Sequence, residues 1–180
     1  MIKSLLLKII EKCEFAYSPV KAIICDMGNK KLLAQLGVNM KSRQYYFQNP
    51  FQENRNVYIF PDMCHCVKNM RNHTLDHGMY VKCGDQSDVA LTKDHFGQLI
   101  FCDGTDFKMC HKLTFNHVEM RGIERQRVRP AFQLFSWSVA QALRQMFGDQ
   151  AEGQAQVIEI IDSWIEVMNS GSKLDYRNEN

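Results

Sequence analysis

The sequence lacks most of the features that assign a function at sight. Its seven cysteines include no Cys-x-x-Cys pair, so the spacing of a zinc ribbon or a thioredoxin-like redox motif is missing. The odd cysteine count and the lack of a secretory signal point to a reducing compartment rather than a disulfide scaffold. No apolar run approaches the ~20 residues of a membrane span. The opening MIKSLLLKIIEKCEF is interrupted by Lys8, Glu11 and Lys12, so it reads as an amphipathic helix and no membrane partner is expected. There is no glycine-rich phosphate loop, which argues against a P-loop enzyme, and no internal repeat or low-complexity tract. Charge of one sign is lacking too. With 22 Lys and Arg against 20 Asp and Glu, the net charge is +2, which neither demands nor forbids a polyanionic partner.

What is present is the composition of a folded globular protein, 45% hydrophobic and 11% aromatic over 180 residues. That length suits one domain, or one domain and part of another. Leu5, Leu6, Ile9, Ile10 and Cys13 fall at helical spacing, and Tyr17-Ser18-Pro19 ends that helix. Val20–Cys25 is a short β-branched run, a buried strand closed by the turn residues of Asp26-Met27-Gly28-Asn29. Lys30–Leu36 reads as a helix stopped by Gly37, and Asn56–Phe60 as a second apolar strand ended by Pro61 and Asp62. Strand, helix, strand predicts a parallel pair, with Asp26 and Asp62 at one edge of one sheet, where α/β sites form.

A helix is predicted over Met63–His77, with Val67, Met70 and Leu75 inward and Gly78 as terminator. Met79–Cys83 reads as a short strand, and Ser87–Cys102 as a helix broken near Gly97. Residues Ile123–Phe147 form one long amphipathic candidate, with Pro130 in its first turn. The last helix begins near Glu152 and is apolar nearly all round, which requires partner surface on more than one side.

Asp26 alone is weak evidence, because an aspartate after a strand is commonly a cap or turn former. Paired with Asp62, and with His65 three residues on, it resembles the acidic cluster that holds divalent metal for phosphoryl transfer. Cys64-His65-Cys66, with Cys83, His95, Cys102, Cys110 and His111 downstream, invites a zinc reading. Adjacent helical side chains point about 100° apart, so the spacing does not favour it. Cys25 beside Asp26 carries no signature of a cysteine nucleophile. The basic run Arg121, Arg125, Arg127 and Arg129, preceded by Lys108 and Lys112, is either a solvated face or a phosphate contact.

The segments VKAIICDMGN, NVYIFPDMCHCVKNMRNHTLDHG, RVRPAFQLFSWSVAQAL and IIDSWIEVMNS, in that order, resemble the P element-type DNA transposases and the THAP-domain proteins related to them. The most specific element is the strand followed by Asp62-x-x-His65-x-x-Lys68-x-x-Arg71-Asn72-His73. The resemblance implies an α/β fold, a partial RNase H-like catalytic domain over residues 1–73 running into a mostly α-helical GTP-binding insertion over 74–180. It implies cut-and-paste transposition with Mg²⁺-dependent DNA cleavage and strand transfer, transposon-end DNA as partner through the full-length protein, room for a homo-oligomer, and the nucleus as location. Asp26 matches the second catalytic aspartate and a metal ligand, and Asp62 and His65 match the D-x-x-H element. The first aspartate and the Glu find no counterpart among these residues, so the chain is expected to be inactive alone. Asp106, Lys112, Arg127, Val128, Ser136, Asp162, Ile165 and Glu166 fall on positions resembling the GTP contacts, where acidic groups read guanine N–H donors and cations meet phosphate. Asp162 replaces an amide there and Ile165 an aromatic ring. The alternative expectation is a non-catalytic guanine-nucleotide-binding or protein-interaction module derived from a transposase.

Overall fold

The computed structural model describes residues 3–26, 28–82, 88–103 and 108–169. They form two compact units, Met1–Asp62 and Met63–Asn180.

In the first unit, α1 (Lys3–Phe15) turns Leu6 and Ile10 inward and leaves Leu5 and Ile9 exposed. Only one stripe of the expected apolar set is therefore buried. The helix ends with Ser18 N–H bonded to the Cys13 carbonyl at 2.9 Å and Tyr17 N–H to Glu14 at 3.1 Å, with Tyr17 left-handed at φ 57°. This is a Schellman-type stop in which glycine is the usual residue.

Strand β1 (Ala22–Cys25), α2 (Lys30–Gln35), β2 (Tyr46–Gln48) and β3 (Asn56–Pro61) follow. The sheet order is β1-β3-β2. β1 runs parallel to β3 in the register Ala22↔Tyr58 to Cys25↔Pro61, as the strand–helix–strand pattern predicts. β2, a strand that the sequence pattern does not predict, pairs antiparallel with β3. Alternation along the strands sends Phe47, Val57 and Ile59 to a core shared with Leu6, Ile10, Leu32 and Leu33. The other sheet face carries Ile24, Tyr46, Tyr58 and Phe60, all exposed, with the Tyr46 and Tyr58 rings 5.6 Å apart.

A polar bracket closes the β2–β3 hairpin. Glu14 accepts hydrogen bonds from Val20 N–H (3.1 Å), from Asn49 Nδ2 (2.9 Å) and from Arg55, while Asn49 N–H donates to the Arg55 carbonyl at 2.8 Å. Burial works against ionising Glu14, but these donors outweigh it and hold the carboxyl below its ordinary range.

The second unit contains α3 (Met63–His77), β4 (Met79–Val81), β5 (Val89–Leu91), α4 (Lys93–Cys102), α5 (Phe115–Val118), α6 (Arg129–Leu134), α7 (Trp137–Phe147) and α8 (Glu152–Asn169). A division at residue 73 falls inside α3, a continuous helix. β4 and β5 form an antiparallel ribbon. Of the helix expected over Ser87–Cys102, Ser87 lies outside the described residues and Val89–Leu91 is a strand; Thr92 then opens α4, which runs unbroken through Gly97. The single helix expected over Ile123–Phe147 is three pieces: a 3-10 turn at Gly122–Gln126, then α6 and α7, with Ser136 extended between the last two. Continuous apolar periodicity concealed the break, because Leu134, Phe135 and Val139 all reach one core.

That core is built from Val67, Phe96, Leu99, Leu134, Phe135, Leu143 and Ile158, among others. α8 buries Ala155, Val157, Ile158, Ile161 and Ile165 but leaves Ile160 exposed, so it is covered less completely than its apolar character implied. Arg144 of α7 clamps α8 through paired bonds to Glu152 (2.7 and 3.0 Å) and to Glu159. Its guanidinium holds both carboxyls below their ordinary range.

Candidate functional site

Asp26 and Asp62 each follow the last paired residues of adjacent parallel strands, Cys25 and Pro61, and Asp62 N–H donates to the Cys25 carbonyl at 3.0 Å. Both therefore stand at the carboxyl edge of the β1–β3 pair. Asp26 is exposed, and its Oδ1 accepts Gly28 N–H at 2.7 Å, so the same carboxylate also builds the turn out of β1. Burial, and then the neighbouring Asp26, push the Cys25 thiol up, the opposite of what activates a nucleophile.

Among the described residues no three or more His, Cys, Asp or Glu side chains are placed to hold one metal ion. The described residues do not by themselves assemble a magnesium or zinc centre. Cys83 and Asp106 lie outside the described residues.

In the second unit, a cavity of about 390 Å³ opens between the segment Cys110–Leu113 and helices α6 and α7. Lys112, Arg129, Gln133, Ser136 and Ser138 supply its polar lining, and Leu113, Phe132 and Val139 its apolar walls. A buried aspartate positions one wall: Asp103 accepts the N–H groups of Met109 and Cys110, both at 2.8 Å, fixing the return of the chain into the cavity. The Cys110 thiol donates to the Ser138 carbonyl at 3.3 Å, and burial with Asp103 nearby pushes it up to about 11. Ser136 Oγ donates to the Gln133 carbonyl at 3.0 Å, which holds the break between α6 and α7.

The residues singled out by resemblance distribute unevenly. Lys112 and Ser136 line the cavity together. Arg127 and Val128 lead directly into α6, where Val128 is the residue before the first turn. Asp162 of α8 accepts the backbone N–H of Trp137, the residue after Ser136, at 2.9 Å. Burial pushes its carboxyl up, against that hydrogen bond and with Glu159 adding to the rise. Glu166, four residues on, is exposed on the same face of α8. Ile165 is buried in the core of the unit.

Two further side chains stand out. Arg129, a member of the basic run read as either a solvated face or a phosphate contact, lines the cavity. Arg71 is fully buried. Its Nη1 donates to the Arg127 carbonyl at 2.8 Å, a second Nη donates to the Arg125 carbonyl, and Nε donates to Asn72 Oδ1 at 3.1 Å. Burial, and then Arg125, lower its basicity. The signal was present in the sequence, since Arg71 follows the inward Val67 by four residues and so lies on the buried stripe.

The TNP-like, GTP-binding insertion domain family matches residues 64–179. The chain is 28% identical over 159 residues to the transposable element P transposase of Drosophila melanogaster, covering 84% of this chain and 20% of that protein. Its fold superposes on a chain of the Drosophila P element transposase strand transfer complex with a TM-score of 0.84 at 27% identity, covering 94% of this chain and 39% of the other. It thus spans about a fifth of that curated relative and about two fifths of the solved chain. With an insertion-domain match over most of its length and a fold shared with a P element transposase, the chain belongs to the P element-type transposase family.

Proposed function

We propose that the chain is a working part of a cut-and-paste DNA transposase, and that its second unit takes a guanine nucleotide in the cavity between Lys112 and the α6–α7 break. The observation that carries this is the cavity. At about 390 Å³ it falls in the range of small-molecule sites, about 300–1,000 Å³. Lys112 and Arg129 supply cations suited to phosphate oxygens, while Ser136, Ser138 and Gln133 supply groups that hydrogen-bond sugar or base.

In this proposal the first unit belongs to an RNase H-like catalytic domain and contributes Asp26 as one carboxylate of its site. The position of Asp26 and Asp62 beyond adjacent parallel strands supports that assignment. The family's Mg²⁺ would serve the DNA chemistry in the complete protein, acting on transposon ends in the nucleus.

The test is titration of the 180-residue chain with a fluorescent GTP analogue, displaced by unlabelled GTP and by ATP. Saturable binding that GTP reverses better than ATP is expected. Lys112→Ala weakens it by about tenfold or more, the value of one lost charge-assisted contact. A folded chain that shows no saturable uptake at millimolar nucleotide overturns the proposal.

A further inference from the structure

We propose that Arg71 is a positioning residue for the nucleotide cavity, fixing the entry to α6 so that Arg129 lines the cavity beside Lys112; this rests on the reading of that cavity as a guanine-nucleotide site. A fully buried guanidinium is costly unless its donors are satisfied. Arg71 spends them on the carbonyls of Arg125 and Arg127 and on Asn72 Oδ1. The two carbonyls belong to the segment that feeds α6.

α3 grips this segment at three successive residues. Asp76 takes both Nη groups of Arg125, one at 2.9 Å, Lys68 Nζ donates to Gln126 Oε1 at 3.0 Å, and Arg71 holds the Arg127 carbonyl. The 3-10 turn Gly122–Gln126 has no buried residue of its own, and Ile123 is 85% exposed. Its order therefore derives from the α3 side chains rather than from packing. Immediately beyond the grip, the Val128 carbonyl receives Ala131 N–H at 2.9 Å to start α6, and Pro130 fixes the backbone of the first turn. Arg129 stands within that turn and lines the cavity. A short, rigid path thus runs from Arg71 through the Arg127 carbonyl to Arg129.

The experiment measures GTP affinity and amide hydrogen exchange on the 180-residue chain. Arg71→Lys keeps a cation but loses the planar fork that reaches two carbonyls at once. It is expected to weaken GTP binding by about tenfold and to speed exchange at Ala131 and Phe132. Arg129→Ala is expected to weaken GTP binding to a similar degree while leaving that exchange unchanged, which separates the contacting residue from the positioning one. Asp76→Asn, at a partly exposed pair, shifts both readouts the same way by less, and carries the test if Arg71→Lys unfolds. Faster exchange with unchanged GTP affinity, or unchanged exchange in both α3 variants, overturns the positioning role. Absence of GTP uptake by the unsubstituted chain overturns the nucleotide reading and the positioning role together, an outcome distinct from a nucleotide that binds but ignores Arg71.

Discussion

Asp162 on α8 accepts the first N–H of α7, that of Trp137, at 2.9 Å. One helix thereby closes the N-terminus of another. The contact favours the ionised carboxylate, yet burial opposes it more strongly and the net push is upward. The folded state thus binds a proton here more tightly than the unfolded state. This group's contribution to stability is full at low pH and is lost as pH rises through the raised value.

Asp162→Asn keeps an oxygen that can accept the Trp137 N–H and removes the titration. The variant should melt about 1–3 °C higher than the parent near about pH 7, with the difference vanishing in acid where the aspartate is protonated. Thermal melts followed by circular dichroism across pH decide it, and a lower melting point at neutral pH sinks the account.

The Arg144 clamp has the opposite sign. Hydrogen bonds from Arg144 hold Glu152 and Glu159 below their ordinary range, so their stabilisation is present above the unfolded carboxylate value and is lost as pH falls through the depressed one. Replacing both glutamates by glutamine should lower stability at neutral pH and flatten the acid limb of the melting curve. An unchanged acid limb would exclude the clamp as its source.

Gly153 in α8 packs against β5 so closely that an added Cβ would stand 2.6 Å from Val89 Cγ2. Helix propensity favours alanine over glycine, but overpacking wins: Gly153→Ala should destabilise by about 1–3 kcal/mol. Val89→Ala in the same chain should recover part of the loss. Denaturant melts of the double-mutant cycle measure the coupling, and simple additivity would refute the contact.

Tyr17 is 96% exposed and left-handed. Tyr17→Gly removes backbone strain without removing packing, and a gain of about 0.5–1 kcal/mol is expected. A loss in chemical denaturation would show that the ring matters.

Cysteine reactivity should separate two thiols. Cys102 is exposed, whereas Cys110 is buried and its thiol is pushed up to about 11. In native protein a thiol reagent should label Cys102 quickly and Cys110 only on unfolding. Mass spectrometry after timed quenching reads the order.

Legibility followed the physics of each segment. The β1–α2–β3 unit could be read because β-branched runs, a helix stop and a crossover connection between parallel strands leave few alternatives. β2 escaped because its three residues Tyr46–Gln48 are too short to display an alternation. The helices after Gly122 merged into one because Pro130 is tolerated in a first turn and the apolar stripe continues past Ser136. Lys112 and Ser136, named through resemblance to a family, both line the cavity. Arg129 lines it too, but a basic run does not reveal which member faces a cavity. Arg71 stood in the element that follows Asp62, but the depth of its burial went against the rule that assigns a charged helix residue to solvent.

The Glu14 bracket has a further consequence for β3. Val57 and Ile59 face the core, but Tyr58 and Phe60 on the opposite face also present large apolar surface, so the hydrophobic pattern alone specifies the alignment of this strand only weakly against a slip of one residue. The alignment of this strand must then be written in its polar ends. Asn49 and Arg55, held to one carboxylate on α1, act as the index mark that makes any other alignment leave a charge without its mate.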